Sequence, residues 1–314
     1  MSELISDSFD FDSYFAEQDI DAAKVKPASS WAQAVVDRFH GPGAEKNWTP
    51  TGFAKNAGKF DIRPGEVTIW AGVNGHGKTT HLSHVMLNLM HAGQKVCMAS
   101  LEMKPAETMA KMCRQASGSG SPAIGYIRDF HRWTDRKLWI YDHVGRVAAQ
   151  RMLGVSTYVR KELKVDHMVI DSLMKCGLGT DDYTAQRDFV DGLCAIARDT
   201  GLHIHLVCHM RKGENERMAP GKFDVKGAGE ITDLVDNLVI VWKNLRKEEK
   251  TDDEPKNGKP VEAKNPADAF VRIAKQRHHS WEGSFAYWFD RDSQQFLETE
   301  WARPTFIDAQ QEVE

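Results

Sequence analysis

Two kinds of hydrophobic pattern alternate along the chain from residue 60 onward. Short apolar runs rich in β-branched residues predict buried strands at 67–73, 95–101, 138–142, 166–171, 203–208 and 237–242. Helical spacing predicts helices from Lys78 to about His91, from Pro105 to near Gly118, and over 147–163 and 183–199. Residues 269–275 and 284–289 predict a final β-hairpin. This alternation predicts an α/β fold, a mostly parallel sheet with helices on both faces.

The segments outside this pattern predict the limits of a single large domain over residues 48–300. Residues 29–39 predict a short amphipathic helix with Trp31, Ala34, Val35 and Phe39 on one face, within a linker region at 29–47. Residues 1–28 predict a disordered acidic tail, and residues 301–314 a C-terminal tail. Residues 246–266 are polar, charged and rich in Pro, which predicts a flexible surface insertion.

Composition places the chain among ordinary globular proteins, with 41% hydrophobic and 27% charged residues. Its longest apolar runs are too short for a transmembrane helix, and its acidic N-terminus is unlike a signal peptide. The five cysteines form no CxxC pair, which argues against a disulfide scaffold and fits a reducing compartment. The net charge of −4 includes seven acidic and no basic residues in the first 22, so the remainder carries +3. The mean charge therefore does not exclude a nucleic-acid partner.

A phosphate-binding loop is predicted at residues 72–79, GVNGHGKT, which match G-x-x-x-x-G-K-[ST] between a strand and a helix. Glycines allow backbone N–H groups to wrap the phosphates of a nucleotide, and the helix N-terminus adds positive potential. Lys78 would reach the β- and γ-phosphates, and the Thr79 hydroxyl would bind Mg²⁺. The predicted cofactors are therefore ATP and Mg²⁺. The nucleotide-binding residues predicted here are Gly72, Asn74, Gly75, Gly77, Lys78, Thr79 and Thr80.

Two carboxylates follow predicted strands at the same edge of the sheet. Asp171 ends the strand HMVID, where a carboxylate can hold the Mg²⁺ shell, although a strand-terminal Asp can also simply cap a loop. Glu102 follows the strand at 95–101, where it could orient an attacking water. An exposed Glu attracted by the dipole of the next helix is the alternative interpretation of Glu102.

The order of these motifs resembles that of DnaB-type replicative helicases over residues 48–298. The segments that carry the resemblance are GVNGHGKTT, ASLEMKPAETMAKMCRQASG, MVIDSL, VCHMRK, VKGAGEITDLVDNLVIVWKN and RIAKQRHHSWEGSFAYWFD. The chain is most similar to the bacteriophage primase-helicase and Twinkle branch, in which a His follows the fourth strand motif. SLEM and KQR discriminate best, because other families with a phosphate loop lack them. The resemblance implies a RecA-like ATPase core that works as a ring, of six subunits, with sites at the subunit interfaces.

The resemblance also implies residue roles. Glu102 matches the catalytic base, Asp171 the aspartate of the Mg²⁺ shell, and His209 the position that senses the γ-phosphate. Lys275 and Arg277 match the pair that reaches the γ-phosphate of a neighbouring subunit, a task suited to a planar guanidinium. The predicted catalytic residues are therefore Lys78, Glu102, His209, Lys275 and Arg277, whereas Asp171 is predicted to hold the metal.

A basic, glycine-rich stretch at 210–229 predicts the contact with single-stranded DNA, because such loops can follow a strand without reading its bases. Ordinary surface loops share this composition, and the family's channel loop at KGAG favours the DNA role. The predicted DNA-binding residues are Arg211, Lys212, Lys226, Gly227 and Gly229. Lys243 lies where family members contact the adenine.

The predicted function is an ATP-dependent replicative DNA helicase that translocates on single-stranded DNA. The predicted partners are single-stranded DNA, further copies of the chain and, through the acidic tail, a separate primase or other replication protein, with no membrane. The expected location is the cytoplasm of a bacterial or phage-infected cell. Three alternatives stay open: a RecA-type recombinase or other DNA-stimulated ATPase without unwinding, a nucleotide kinase, and a non-catalytic binding module.

Overall fold

The computed structural model describes residues 27–40, 48–179, 181–210, 220–226, 229–245, 247 and 266–310. Its helices are α1 Ala32–His40, α2 Lys78–His91, α3 Pro105–Ser117, α4 Ile124–Thr134, α5 Ala149–Lys161, α6 Tyr183–Thr200 and α7 Ile231–Leu234. Its strands are β1 Thr49–Pro50, β2 Asp61–Ile62, β3 Val67–Gly72, β4 Val96–Ser100, β5 Leu138–Ile140, β6 His167–Asp171, β7 His203–His209, β8 Asn237–Lys243, β9 Ala269–Gln276, β10 Gly283–Asp290 and β11 Gln295–Leu297.

Nine of these strands form one sheet in the order β11-β10-β9-β8-β3-β7-β6-β4-β5. The six strands from β8 to β5 are parallel to one another. The antiparallel hairpin of β9 and β10 extends the sheet beyond β8, and β11 pairs with β10. Parallel neighbours need long crossover connections, and helices supply them here. The predicted mostly parallel sheet with a C-terminal hairpin is confirmed.

Two hydrophobic cores lie on the two faces of the sheet, which is why its central strands are buried on both sides. One core contains side chains from α5 and α6, such as Val155 and Leu193. The other contains side chains from α2, α3 and α4, such as Leu89, Met112 and Phe130. β3 is buried along its whole length, whereas β5, at the edge of the sheet, is only half-buried. The prediction of helices on both faces is therefore also confirmed.

Several elements were not predicted from the hydrophobic pattern. They include α4, α7, the short strand β11, and the separate two-stranded ribbon of β1 and β2. The segment 301–310 packs on the core, where Ile307 and Ala309 are buried and the Ile307 N–H donates to the Ala116 carbonyl at 2.8 Å. The linker helix begins as a 3₁₀ turn at Ala28–Trp31 before α1. Apolar side chains of this segment that are exposed include Val35, Val36 and Phe39.

The structure also bears on the expectations about disulfides and membrane spans. All five cysteines are free thiols. In the described ranges, no helix combines the length and the apolar content that crossing a membrane requires. The predicted acidic tail at 1–28 lies outside the described residues except for its last two positions, and so does most of the insertion at 246–266.

Candidate active site

The predicted phosphate loop joins the end of β3 to the start of α2, at the carboxyl edge of the parallel strands. Gly72 needs to be glycine, because a Cβ there would lie 2.4 Å from the Val241 carbonyl oxygen of β8. Gly75 and Gly77 have φ angles of +79° and +86°, a left-handed conformation that favours glycine. The loop therefore curls tightly over the N-terminus of α2, a position that favours an anion.

Lys78, the first residue of α2, is buried and points back over this loop. Its Nζ donates a 3.0 Å hydrogen bond to the Val73 carbonyl. Burial lowers the pKa of Lys78, while the carboxylates of Asp171 and Glu102 act in the opposite direction. A phosphate would offer this cation stronger acceptors than a backbone carbonyl.

Thr79 and Asp171 form the shortest polar contact of the site. The Thr79 hydroxyl donates to Oδ2 of Asp171 at 2.6 Å. Burial raises the pKa of Asp171, and the Thr79 hydrogen bond and the Lys78 charge oppose this rise. A hydroxyl and a carboxylate oxygen are hard ligands of the kind that Mg²⁺ prefers. Among the described residues, no group of three or more His, Cys, Asp or Glu could hold a metal ion.

Glu102 lies beside this pair in a cluster with Ser172 and His209. The Ser172 hydroxyl donates to Oε1 of Glu102 at 3.0 Å, and Nε2 of His209 lies 3.5 Å from the same oxygen. These partners, His209 first, lower the pKa of Glu102 to about 2. The side chain stays partly exposed, as a carboxylate that contacts water must be. The structure thus brings together the ends of β4, β6 and β7, three strands that are neighbours in the sheet.

A cavity of about 340 Å³ extends from the phosphate loop toward β10 and β11. It is lined by Gly75, Gly77 and Thr80, by Lys243 at the end of β8, and by the next residue, Asn244. Phe289 and Phe296 also line this cavity, and their rings contact each other edge-on with centroids 5.3 Å apart. The structure therefore places the predicted Lys243 beside the phosphate loop, in a cavity with an aromatic wall.

Lys275 and Arg277 lie at the opposite edge of the sheet. β9 runs antiparallel to β8, so Gln276 pairs with Asn237, which itself pairs with Thr68 in β3. Thr68 precedes Gly72 by four residues, which is about 13 Å along a strand at about 3.3 Å per residue. These two cations therefore cannot reach a phosphate held by their own phosphate loop.

Both cations instead hold the carboxyl end of α7. Nζ of Lys275 donates to three carbonyls, those of Thr232, Asp233 and Val235, at 2.8–2.9 Å. Nη2 of Arg277 donates to the Leu234 carbonyl at 3.0 Å. The carboxylate of Asp236 lies 3.6 Å from Nε of Arg277. Burial and the neighbouring Arg277 lower the pKa of Lys275. Half of the Arg277 side chain remains exposed to solvent.

The predicted DNA loop begins directly at His209. Met210 forms an antiparallel bridge with Val225, and the Lys226 N–H donates to the His209 carbonyl at 2.8 Å. Gly229 is exposed just before α7. Arg211, Lys212 and Gly227 lie outside the described residues.

Sequence reasoning missed several residues of the site. Ser172 directly follows Asp171, and its place in MVIDSL was the available signal. Lys111 of α3 reaches Thr80, with Nζ 3.4 Å from the hydroxyl. Phe289 and Phe296 are cross-strand partners in β10 and β11, so their meeting depended on a strand that the pattern did not predict.

Comparison with known proteins agrees with this geometry. A family model described as an AAA domain matches residues 29–215. The DNA helicase/primase of Enterobacteria phage T3 is 24% identical over 204 residues, which are 58% of this chain and 36% of that protein. The chloroplastic/mitochondrial Twinkle homolog protein of Arabidopsis thaliana is 21% identical over 230 residues, 67% of this chain and 32% of that protein. The chain thus spans about a third of the length of these curated relatives.

Solved structures show the same fold. One ATPase domain aligns over its whole length and 87% of this chain, with a TM-score of 0.68 and 17% identity. A DnaB-like replicative helicase, solved in a study of its interactions with primase, aligns over 88% of this chain and 68% of its own, with a TM-score of 0.67 and 17% identity. The predicted RecA-like core is thereby confirmed. Because the family match covers more than half of the residues, the chain belongs to the AAA domain family and has the fold of the DnaB-type helicase ATPase domain.

Proposed function

We propose that this chain is the motor domain of an ATP-dependent replicative DNA helicase, which forms a ring and hydrolyses ATP at its subunit interfaces. One observation carries the proposal. The phosphate loop, the Thr79–Asp171 pair and the Glu102 cluster share one edge of the sheet, whereas Lys275 and Arg277 lie about 13 Å away at the other edge. Each subunit thus presents two halves of a site that only a neighbouring copy can complete. The name of the phage relative, a DNA helicase/primase, supports the same activity.

ATP and Mg²⁺ fit the residues present. The curled phosphate loop and Lys78 would hold the phosphates, and the Thr79 hydroxyl and Asp171 carboxylate would hold Mg²⁺. Mg²⁺, when bound, neutralises charge on the phosphates. Lys243 and the aromatic wall of the cavity at Phe289 and Phe296 would contact the nucleoside.

Glu102 is the residue placed to orient the attacking water. Its carboxylate stays ionised because Ser172 and His209 hydrogen-bond to it, and an ionised carboxylate accepts a hydrogen bond from water. In this proposal the carboxylate aligns the water for its attack on the γ-phosphate. His209 contacts this carboxylate and begins the loop that carries Lys226, so it connects the hydrolysis site with the DNA loop.

Lys275 and Arg277 supply the half of the site that acts on the neighbour. A guanidinium can neutralise charge that develops as the γ-phosphate is transferred. Arg277 is half exposed, so a neighbouring subunit could approach it. Lys226 and Gly229, with Arg211, Lys212 and Gly227, are the proposed contacts with single-stranded DNA. A ring of six subunits, and a primase or other replication protein docking on the acidic tail, complete the proposal.

The steady-state ATPase rate, measured with and without single-stranded DNA, tests the motor function. We expect DNA to stimulate hydrolysis, and Lys78→Ala gives the background rate. A strand-displacement assay on a forked duplex then separates a helicase from a recombinase or another DNA-stimulated ATPase. An ATPase rate that DNA leaves unchanged would refute the motor function.

Mixing inactive subunits tests the interface site. Lys78→Ala subunits keep Arg277, and Arg277→Ala subunits keep Lys78, so in random mixtures about a quarter of the interfaces of a closed ring combine both intact residues. We expect each variant alone to be inactive and the mixture to recover part of the activity. Arg272→Ala, which removes an exposed arginine from the same strand β9, is the matched control and should stay active. A mixture as inactive as its components contradicts interface catalysis.

A further inference from the structure

Phe223 stands out from the loop between β7 and α7. It lies in the 3₁₀ turn Lys222–Asp224, and 85% of its side chain is exposed, as for no other phenylalanine among the described residues. The turn around it is held in place. The Gly221 N–H donates to Oδ2 of Asp224 at 2.7 Å, and Val225 is buried in the bridge to Met210. An anchored turn thus presents an aromatic ring to solvent, where no described core side chain covers it.

Two lysines lie close to the Phe223 ring in space or in the chain. Nζ of Lys222 lies 5.1 Å from the ring centroid, and Lys226 follows three residues after Phe223. An aromatic face beside lysines is complementary to a single nucleic-acid strand, whose bases stack on the ring while its phosphates meet the ammonium groups. An apolar protein partner would need no such charges.

The ring is also close in the chain to the hydrolysis site. Val225 and Lys226 are joined to Met210 and His209 by the bridge and by the 2.8 Å hydrogen bond. His209 lies 3.5 Å from Glu102. A base bound at Phe223 would therefore contact a turn that is attached to His209. His209 in turn contacts the carboxylate of Glu102.

We propose that Phe223 is a stacking platform for a nucleobase of single-stranded DNA. This inference rests on the proposed function and adds a contact of a different chemical kind, because the predicted loop residues contact only the backbone. Stacking tolerates every base, since each base has a π-face, so the contact holds the strand without reading its sequence. Lys222 and Lys226 would meet the flanking phosphates.

The test compares two strands of equal length and charge, one oligothymidylate and one fully abasic. Fluorescence anisotropy gives the affinity of the full chain for each strand in the presence of a non-hydrolysable ATP analogue. We expect Phe223→Ala to bind oligothymidylate about 5- to 140-fold more weakly and to bind the abasic strand as the wild type does. Phe223→Trp should restore the affinity. Phe306→Ala, at another exposed phenylalanine, is the matched control and should bind both strands normally.

Salt dependence gives a second readout. Stacking releases no counterions, so Phe223→Ala should leave the slope of log affinity against log salt unchanged, whereas Lys226→Ala should reduce it. Equal affinity of Phe223→Ala and the wild type for oligothymidylate would overturn the proposal, and so would an equal loss on both strands. A change in oligomeric mass without a change in affinity would instead assign Phe223 to a subunit contact. Failure of the wild type to bind either strand would refute the proposed function itself.

Discussion

Acid should destabilise this protein through a cluster of buried histidines in the centre of the sheet. His203 and His205 of β7 lie against His167 of β6, with ring centroids 4.4–5.8 Å apart. The Thr68 hydroxyl lies 2.9 Å from His203, and the Trp70 indole donates to His205 at 3.1 Å. Burial lowers the pKa of His203 to about 4, and it lowers the pKa of His167 and His205 well below the ordinary value. The folded protein therefore keeps these rings neutral.

The sign of the effect follows from the protons bound in each state. In the unfolded chain these rings have a pKa of about 6.5 and bind protons below that pH, whereas the folded chain binds them only at lower pH. The free energy of unfolding therefore falls as the pH falls through about 6.5. For His203 at pH 5.5 the loss in the free energy of unfolding is about 1 kcal/mol. His167 and His205 act in the same direction. Glu66, whose pKa burial raises, acts in the opposite direction. Domains are stable by only about 5–15 kcal/mol, so the loss is measurable.

Urea unfolding at pH 7.5, 6.5 and 5.5 measures this loss. His203→Asn keeps an amide that can donate to the Arg63 carbonyl, which the ring now contacts, and removes one titrating group. We expect the free energy of unfolding of the wild type to fall as the pH is lowered, and that of the variant to fall by about 1 kcal/mol less. His91→Asn, at an exposed ring, controls for the substitution. Identical pH dependence in the wild type and His203→Asn would refute this account.

Three further predictions concern the site and its supports. Gly72→Ala should abolish ATP binding and lower the unfolding midpoint, because its Cβ would lie 2.4 Å from a backbone carbonyl of β8; Gly125→Ala in α4, where a Cβ meets nothing within 4 Å, should not. Ser172→Ala removes a 3.0 Å hydrogen bond and should raise the pKa of Glu102. As the pH is lowered, kcat should therefore begin to fall at a higher pH in the variant than in the wild type. Gln295→Leu should cost about 1–3 kcal/mol per buried group left unpaired. Its side chain holds the C-terminal segment through contacts of 2.6–3.1 Å, and urea unfolding with limited proteolysis after the substitution would show the loss.

The sequence by itself determined the features that depend on neighbouring residues. The phosphate loop is eight consecutive residues between a strand and a helix, so Gly72, Lys78 and Thr79 could be assigned without knowing the rest of the fold. The buried strands were predicted because apolar runs of their length have few other uses in a globular chain. α4 was missed although its buried Phe130 and Trp133 and the partly buried Tyr126 follow helical spacing. β1, β2 and β11 are only two or three residues long, too short to leave a periodic signal.

The tertiary structure decided which strand ends meet. The order of the sheet places β4, β6 and β7 side by side, and only this order brings Glu102, Ser172 and His209 within 3.0–3.5 Å of one another. The antiparallel direction of β9 carries Arg277 to the far edge, although β9 is the next described strand after β8 in the chain. Hydrophobic periodicity indicates which residues of a strand are buried, but it does not predict which other strands lie beside it. The contacts between distant segments, and with them the separation of the two halves of the site, therefore appear only when the whole sheet has formed.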